Sequence, residues 1–126
     1  MNKILLIFLG AGLGGVLRYT LGSWIQSLSD AAFPLGTLAV NLVGCAAIGF
    51  LGALFAGPVH LREDYRLALF VGLLGGFTTF STFAHETFTI AREREMLLAS
   101  LNLALCNGIG LLFVWIGTRL AERIHG

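Results

Sequence analysis

The segment Gly75–Phe83, with the sequence GGFTTFSTF, decides how this chain is read. It lies in the middle of a long apolar run and combines two adjacent glycines, four hydroxyl side chains and three phenylalanines. A glycine pair loosens a helix, and serine or threonine side chains can bond the backbone groups that are freed. In lipid, irregular backbone persists only where it is buried in protein or lines a watery cavity. The segment therefore predicts a functional interruption of a transmembrane helix.

The composition around this segment indicates an integral membrane protein. Of the 126 residues, 56% are hydrophobic and only 12% are charged, about half the charged share of an average globular domain. A hydrocarbon core about 30 Å thick needs helices of roughly 20 residues. The chain is therefore expected to be a single all-α transmembrane domain, residues 1–126. Its four predicted spans are residues 3–25, 35–57, 67–91 and 96–118.

The first predicted span contains a glycine-rich run, Gly10–Gly15, that formally matches the dinucleotide-binding pattern G-x-G-x-x-G. That pattern has its meaning after a strand in a βαβ unit, whereas here it lies inside a membrane helix. Small residues four apart allow close helix packing instead, which is the prediction for Gly10 and Gly14. Arg18, near the far end, has two open interpretations: a side chain that reaches the interface, or a cation at a pore mouth.

Polar side chains in the second and fourth spans also need partners. Thr37 and Asn41 lie one turn apart on one helix face. An amide in lipid either forms an interhelical hydrogen bond, worth about 0.6 kcal/mol, or donates into a polar pathway. Cys45 and Cys106 show no CxxC or metal-ligand spacing, so both are interpreted as small packing residues without a disulfide.

Several function classes are disfavoured by what the chain contains. The net charge of +1 gives no electrostatic case for binding nucleic acid. The neighbouring His85 and Glu86 would point about 100° apart on a helix, and the sequence shows no HExxH, GxSxG or serine–histidine–acid pattern. We therefore expect no enzyme activity and no catalytic residue.

Transport leaves two interpretations. A small proton-coupled exporter of dual topology would use an embedded carboxylate, and Glu86 is the only acid inside a predicted span. Small exporters of this shape carry their key glutamate in the first helix, where this chain has none. An ion channel fits more features, because Phe80 and Phe83 share a helix face and phenyl edges are electropositive. Hydrogen-bond donors would come from Thr37, Asn41, Ser81 and Thr82.

Charge at the two ends of the spans bears on assembly. With four spans both termini share one side, which carries five basic residues against three on the other side. Orientation follows the Lys/Arg bias, and so weak a bias permits insertion both ways round. Because four short helices are few to enclose a pore, an oligomer is expected, and an antiparallel dimer is permitted. The five are Lys3, Arg62, Arg66, Arg119 and Arg123; the three are Arg18, Arg92 and Arg94.

The segment GGFTTFSTF, followed by Glu86, resembles the signature of the Fluc (CrcB) fluoride channels. The run Gly36–Gly44, GTLAVNLVG, and the glycines Gly12–Gly15 with Arg18-Tyr19 support the resemblance. Length and span layout agree as well, so the resemblance covers essentially the whole chain. It implies an antiparallel, dual-topology homodimer in a bacterial-type inner membrane, with a broken third helix. It also implies a channel with two pores that exports cytoplasmic fluoride passively.

Roles for individual residues follow only from this resemblance. Phe80 and Phe83 would line the pores, Asn41 would bond the ion, and Arg18 would lie at an aqueous vestibule. Further pore positions would be Thr37, Ser81, Thr82 and Glu86. A structural Na⁺ at the dimer interface would be held by backbone carbonyls of Gly75 and Thr78 from both subunits. The fourth span departs from the family pattern, and there the chain offers Asn102 and Cys106.

Overall fold

The computed structural model describes residues 2–126, and four long helical spans account for most of them. Each span is long enough and apolar enough to cross a bilayer, so the chain is a multi-pass, all-helical membrane protein. The helices extend beyond several of the expected boundaries, most clearly at the C-terminus. The spans are Lys3–Ser27, Leu35–Ala56, Glu63–Arg92 and Met96–His125.

The first two spans are continuous helices, and the last two are composite. Helix α1 is Lys3–Ser27 and α2 is Leu35–Ala56. The third span consists of α3 (Glu63–Leu67), a π-helical segment π1 (Ala68–Leu74), α4 (Gly75–Phe77) and α5 (Phe80–Arg92). The fourth consists of α6 (Met96–Ala104), π2 (Leu105–Ile109) and α7 (Gly110–His125). In π1 the N–H of Gly75 reaches the carbonyl of Phe70, five residues earlier, as π geometry requires.

Two residues of the third span have extended backbone. Thr78 has φ −88° and ψ 157°, and Thr79 has φ −151° and ψ 116°. The glycines before them are helical, with φ −63° and ψ −37° at Gly75. The extended residues are thus the two threonines and not the glycine pair. Gly76 meets a packing need instead, because a Cβ there would press on the backbone of Ala11 in α1.

Glycines set the closest approaches between spans. A Cβ on Gly10 or Gly14 of α1 would meet the backbone of π1, at Ala68 and Leu73 respectively. The close packing predicted for these two glycines is confirmed. Gly49 and Gly117 play the same part between α2 and α7, where each faces backbone of the opposite helix. These two contact zones hold the bundle together through backbone-to-backbone proximity.

Helix α5 packs less extensively than the segments before it. It contacts α6 and, at fewer positions, α2. Its inner face buries Phe83, which is 4% exposed, while Phe80 one turn earlier is 75% exposed. One face of α5 therefore has no neighbouring helix within residues 2–126.

Candidate functional site: two cavities that meet at Thr79

The extended backbone at Thr79 is held by one side chain from the second span. The Asn41 amide Nδ2 donates to the carbonyl of Thr79 at 3.0 Å, and its Oδ1 accepts from the N–H of Thr79 at 2.9 Å. The N–H of Thr79, which the interruption would leave unpaired, is satisfied by this amide, and the Thr79 carbonyl gains a donor from a second span. The interhelical interpretation of Asn41 is therefore confirmed, and one amide hydrogen is left over for a further acceptor.

The same threonine starts the next helix. The Oγ1 of Thr79 accepts from the N–H of Thr82 at 3.1 Å and donates to the hydroxyl of Thr82 at 3.0 Å. This is N-cap geometry, in which a side chain replaces a missing helical acceptor. Ser81 has its hydroxyl 3.5 Å from the same oxygen. Thr79 is only 8% exposed, so its position is determined from all sides.

Because of these bonds, the carbonyls of Gly75 and Thr78 lack the N–H donors that they would have in a continuous helix. The N–H of Thr79 goes to Asn41 instead of the carbonyl of Gly75, four residues earlier. The N–H of Thr82 goes to the Thr79 hydroxyl instead of the carbonyl of Thr78. Neither carbonyl receives its usual i+4 donor. Hard cations are bound by oxygen ligands of this kind.

Cavity one, of about 370 Å³, lies on one side of the break. The Phe80 and Phe83 rings stand with centroids 5.5 Å apart and planes tilted by 59°, and both line this cavity. It is a half-open cleft that also contains the break itself and two thiols. The predicted site residues at cavity one are Asn41, Gly75, Thr78, Phe80, Phe83 and Cys106.

Cavity two, of about 420 Å³, lies on the other side of the break and is more polar. Thr37 donates to Oε1 of Glu86 at 2.8 Å, which joins α2 to α5. The second carboxylate oxygen of Glu86 is buried and has no hydrogen-bond partner among residues 2–126. The predicted site residues at this cavity are Arg18, Thr37, Thr82 and Glu86.

Arg18 supplies the positive charge of cavity two. In the part of the chain that the structure describes, no carboxylate lies within 4 Å of its guanidinium. A cation without a counter-ion at a cleft raises the local anion concentration. Thr79 lines both cavities, so the aromatic cavity and the charged one meet at this residue.

Two predicted site residues lie outside both cavities. Asn102 is 1% exposed and donates to the hydroxyl of Thr87 at 2.8 Å, which in turn donates to the carbonyl of Phe83. Its amide thus ties α6 to α5. Ser81 is exposed but lines neither cavity. The structure brings the other predicted residues to one cavity or the other.

Three residues of cavity one with polar or thiol side chains were not among the predicted site residues: Thr79, Cys45 and Asn107. Thr79 had a signal, because a threonine that precedes a resumed helix is a preferred N-cap. Cys45 and Asn107 had none, since only the approach of α2 to the fourth span brings them to cavity one.

Comparison with known proteins gives full-length matches. A family model described as CrcB-like protein, Camphor Resistance (CrcB), matches residues 5–118. A fluoride-specific ion channel FluC from Solibacter usitatus is 44% identical over 121 residues, 96% of this chain and 99% of the relative. The channel of that name from Chloroflexus aurantiacus is 43% identical over 126 residues, the whole of both chains. The one from Geobacter sulfurreducens is 39% identical over 124 residues, 98% of this chain and all of the relative.

Proposed function

The chain belongs to the CrcB family, and on that premise we propose that it is a fluoride-specific ion channel through which fluoride leaves the cytoplasm passively. The observation that carries this conclusion is end-to-end similarity, at 39–44% identity, to relatives named fluoride-specific ion channels. The protein is a channel and not an enzyme. The proton-coupled exporter, which was the alternative, is not favoured by these relatives.

The physical logic of a passive channel agrees with the residues present. Hydrogen fluoride is a weak acid that crosses membranes uncharged and dissociates in a more alkaline cytoplasm. The trapped fluoride is then driven out by a membrane potential that is negative inside. Such export needs an electrically favourable path and no coupling reaction. The interior is expected to be bacterial cytoplasm and the membrane the inner one, since the relatives come from bacteria.

The proposed anion path runs through both cavities and past Thr79. The unpaired cation of Arg18 would concentrate fluoride at cavity two. Electropositive ring edges of Phe80 and Phe83 would solvate the anion in cavity one without holding it tightly. The remaining amide hydrogen of Asn41 could donate to the ion between them. Thr37, Ser81, Thr82 and Glu86 would extend the polar track. Cys106 is the fourth-span candidate, because Asn102 is buried outside both cavities with its amide bonded to Thr87.

We propose that the working unit is an antiparallel homodimer of dual topology with two pores. Three observations support it: the unpartnered face of α5, the half-open form of both cavities, and the nearly even Lys/Arg distribution. A second copy would cover the exposed Phe80 ring and close cavity one. Both orientations are needed in one membrane for such a dimer.

We further propose a structural Na⁺ where the two breaks would face each other. The carbonyls of Gly75 and Thr78 fit this group in chemistry, because neither receives its i+4 helical donor and both are oxygen ligands. Gly75 is also exposed, so its backbone is accessible from outside the protomer. Such an ion would supply positive charge that holds the two breaks together. Non-water density between paired Gly75–Thr78 breaks in a dimer structure is the expected observation.

The decisive test is fluoride efflux from liposomes that contain the purified protein. A channel should release fluoride down its gradient at rates far above transporter cycling, with the pH equal on both sides. Slow flux that disappears without a proton gradient would instead support the exporter. Chloride that passes as readily as fluoride would contradict the selectivity.

The aromatic part of the path has its own test. Phe80→Ile and Phe83→Ile should each block or sharply slow fluoride flux while the protein stays dimeric by cross-linking. The isoleucine side chain keeps bulk but removes the ring edge. Normal flux in both variants would remove the two rings from the path.

A further inference from the structure

Cavity one contains a pair of thiols that the proposed channel does not use. Cys45 lies on α2 and Cys106 in π2, and both are free, half-buried and part of the lining. Cysteines in a packed membrane core behave as small apolar residues. Two thiols that open on the same cavity from two different spans can also act together.

The packing of α2 on the fourth span places both thiols on the wall of cavity one. A Cβ on Gly110 would lie 3.4 Å from the Sγ of Cys45, so that sulfur rests on the helix surface at Gly110. Cys106 precedes Gly110 by four residues, which is about one helical turn and roughly 6 Å along the axis. The Cys45 sulfur and the Cys106 backbone are therefore about one helical turn apart along the fourth span.

The number of nearby ligands indicates which cation would fit. Zn²⁺ in structural sites takes four ligands, and residues 2–126 contain no group of three or more His, Cys, Asp or Glu side chains placed to share a metal. Soft cations with filled d shells, such as Hg²⁺, Ag⁺ and Cu⁺, prefer thiolates and are satisfied by two in a linear arrangement. We propose that Cys45 and Cys106 form a two-thiolate site for a soft cation of this class, within cavity one.

The binding step balances without any redox partner. Each S–H bond breaks and releases one proton to solvent, the two Hg–Cl bonds of HgCl₂ break and release chloride, and two S–Hg bonds form; neither mercury nor sulfur changes oxidation state. Because the thiolate is the metal ligand, binding releases protons and weakens as the pH falls. The bound ion would lie in the same cavity as Asn41 and the Phe80 ring, in the middle of the proposed anion path.

Binding can be tested without any measurement of flux. Purified protein in detergent is titrated with HgCl₂, and free thiols and intact mass are followed. We expect one mercury per chain with the loss of both thiols, and at least tenfold weaker retention against a small thiol competitor in Cys45→Ser or Cys106→Ser. Zn²⁺ at the same concentration should protect neither thiol. Two mercury adducts per chain, one mercury joining two chains, or retention unchanged in both variants would overturn the site.

The position of the site relative to the ion path rests on the proposed function, and a second measurement addresses it. HgCl₂ should lower fluoride efflux from liposomes at least tenfold, and dithiothreitol should restore it. In Cys45→Ser/Cys106→Ser, efflux with HgCl₂ should stay at that variant's own untreated rate. Bound mercury with undiminished efflux would keep the thiol site but overturn its placement in the path. Absence of efflux before any mercury is added would count against the channel and leave the thiol titration standing.

Discussion

The two halves of the third span differ in how they are held. Before the break, π1 and α4 lie against α1 with glycines at the contact, including Gly72 and Gly76. After the break, α5 contacts α6 and a short part of α2, and it leaves Phe80 75% exposed. The first half is thus packed closely against α1 of the same chain. The second half is anchored on one face only, and its other face is free for cavities and for a partner.

The largest effect should come from filling a contact in the first half. A valine at Gly14 would press its side chain on the backbone of Leu73 and Phe77. Overpacking costs about 1–3 kcal/mol where side chains can move and more where backbone must shift. Gly14→Val should therefore abolish recovery of folded, monodisperse protein in detergent.

Gly12→Ala is the matched control, because a Cβ on Gly12 would have no atom of another helix within 4 Å among residues 2–126. This variant should unfold at the wild-type temperature or slightly above it, since alanine favours helix. If Gly14→Val behaved like Gly12→Ala, the first half would not depend on close approach.

A pair of phenylalanine variants compares the two faces of α5. Phe83→Ala should destabilise the protein by about 3–5 kcal/mol, the usual cost for a buried phenylalanine, because its ring is 4% exposed. In the separated protomer Phe80→Ala should cost less than about 1 kcal/mol, as exposed positions do. In the proposed dimer, where a second copy covers this ring, the cost should be larger. Denaturation in mild detergent, followed by tryptophan fluorescence at dimeric and at dissociating protein concentrations, measures both variants. The same small cost at Phe80 under both conditions would contradict the proposal that a second copy covers this ring.

The contact between Asn41 and Thr79, where the two halves of the third span meet, should show the next largest effect. Asn41→Leu leaves the N–H of Thr79 without its partner, and a buried unpaired N–H costs about 1–3 kcal/mol. We expect a stability loss of about that size, 1–3 kcal/mol, and at least a tenfold loss of fluoride flux. Asn107→Leu is the control, because this amide also lines cavity one but bonds to Leu103 of its own span. Equal losses in the two variants would contradict a special role for Asn41.

The smallest expected effect concerns the bond from α2 to the free half. Thr37→Val keeps the shape of the side chain but removes the donor to Glu86. One net hydrogen bond is worth about 1 kcal/mol, which corresponds to roughly fivefold in a rate. Fluoride efflux should fall by about that factor, and the unfolding temperature should fall by only a few degrees, as a loss of about 1 kcal/mol implies. An unchanged rate in Thr37→Val would show that the carboxylate is positioned by other contacts.

Features that depend on the local pattern could be predicted from the sequence. Continuous apolar runs give the four spans, small residues four apart give the contact at Gly10 and Gly14, and a specific motif gives the family. Each of these rests on neighbours along one chain segment. The interhelical bond of Asn41 could be predicted as a need of a buried amide, although its acceptor could not be named.

Features that depend on two spans at once could not be predicted. The glycine pair Gly75-Gly76 is typical of a loosened helix, but contact with α1 keeps it helical and the irregular backbone falls on Thr78 and Thr79. Asn102 has a hydrogen-bonding side chain that would suit a pore, yet its amide donates to the hydroxyl of Thr87 on α5 inside the protein. In each case the deciding partner lies on a different helix, at a distance in sequence that periodicity does not report.

The π-helical segment Ala68–Leu74 makes the rotational register of the third span depend on the number of residues in it. A wide π turn holds an additional residue compared with α-helix, and each residue added to or removed from a helix rotates everything beyond it by about 100°. A deletion that the π turn does not absorb would turn the residues of π1 and α4 that contact α1 away from Thr79, which Asn41 holds. Substitutions between Gly72 and Thr79 therefore keep this register, whereas insertions or deletions there would change it.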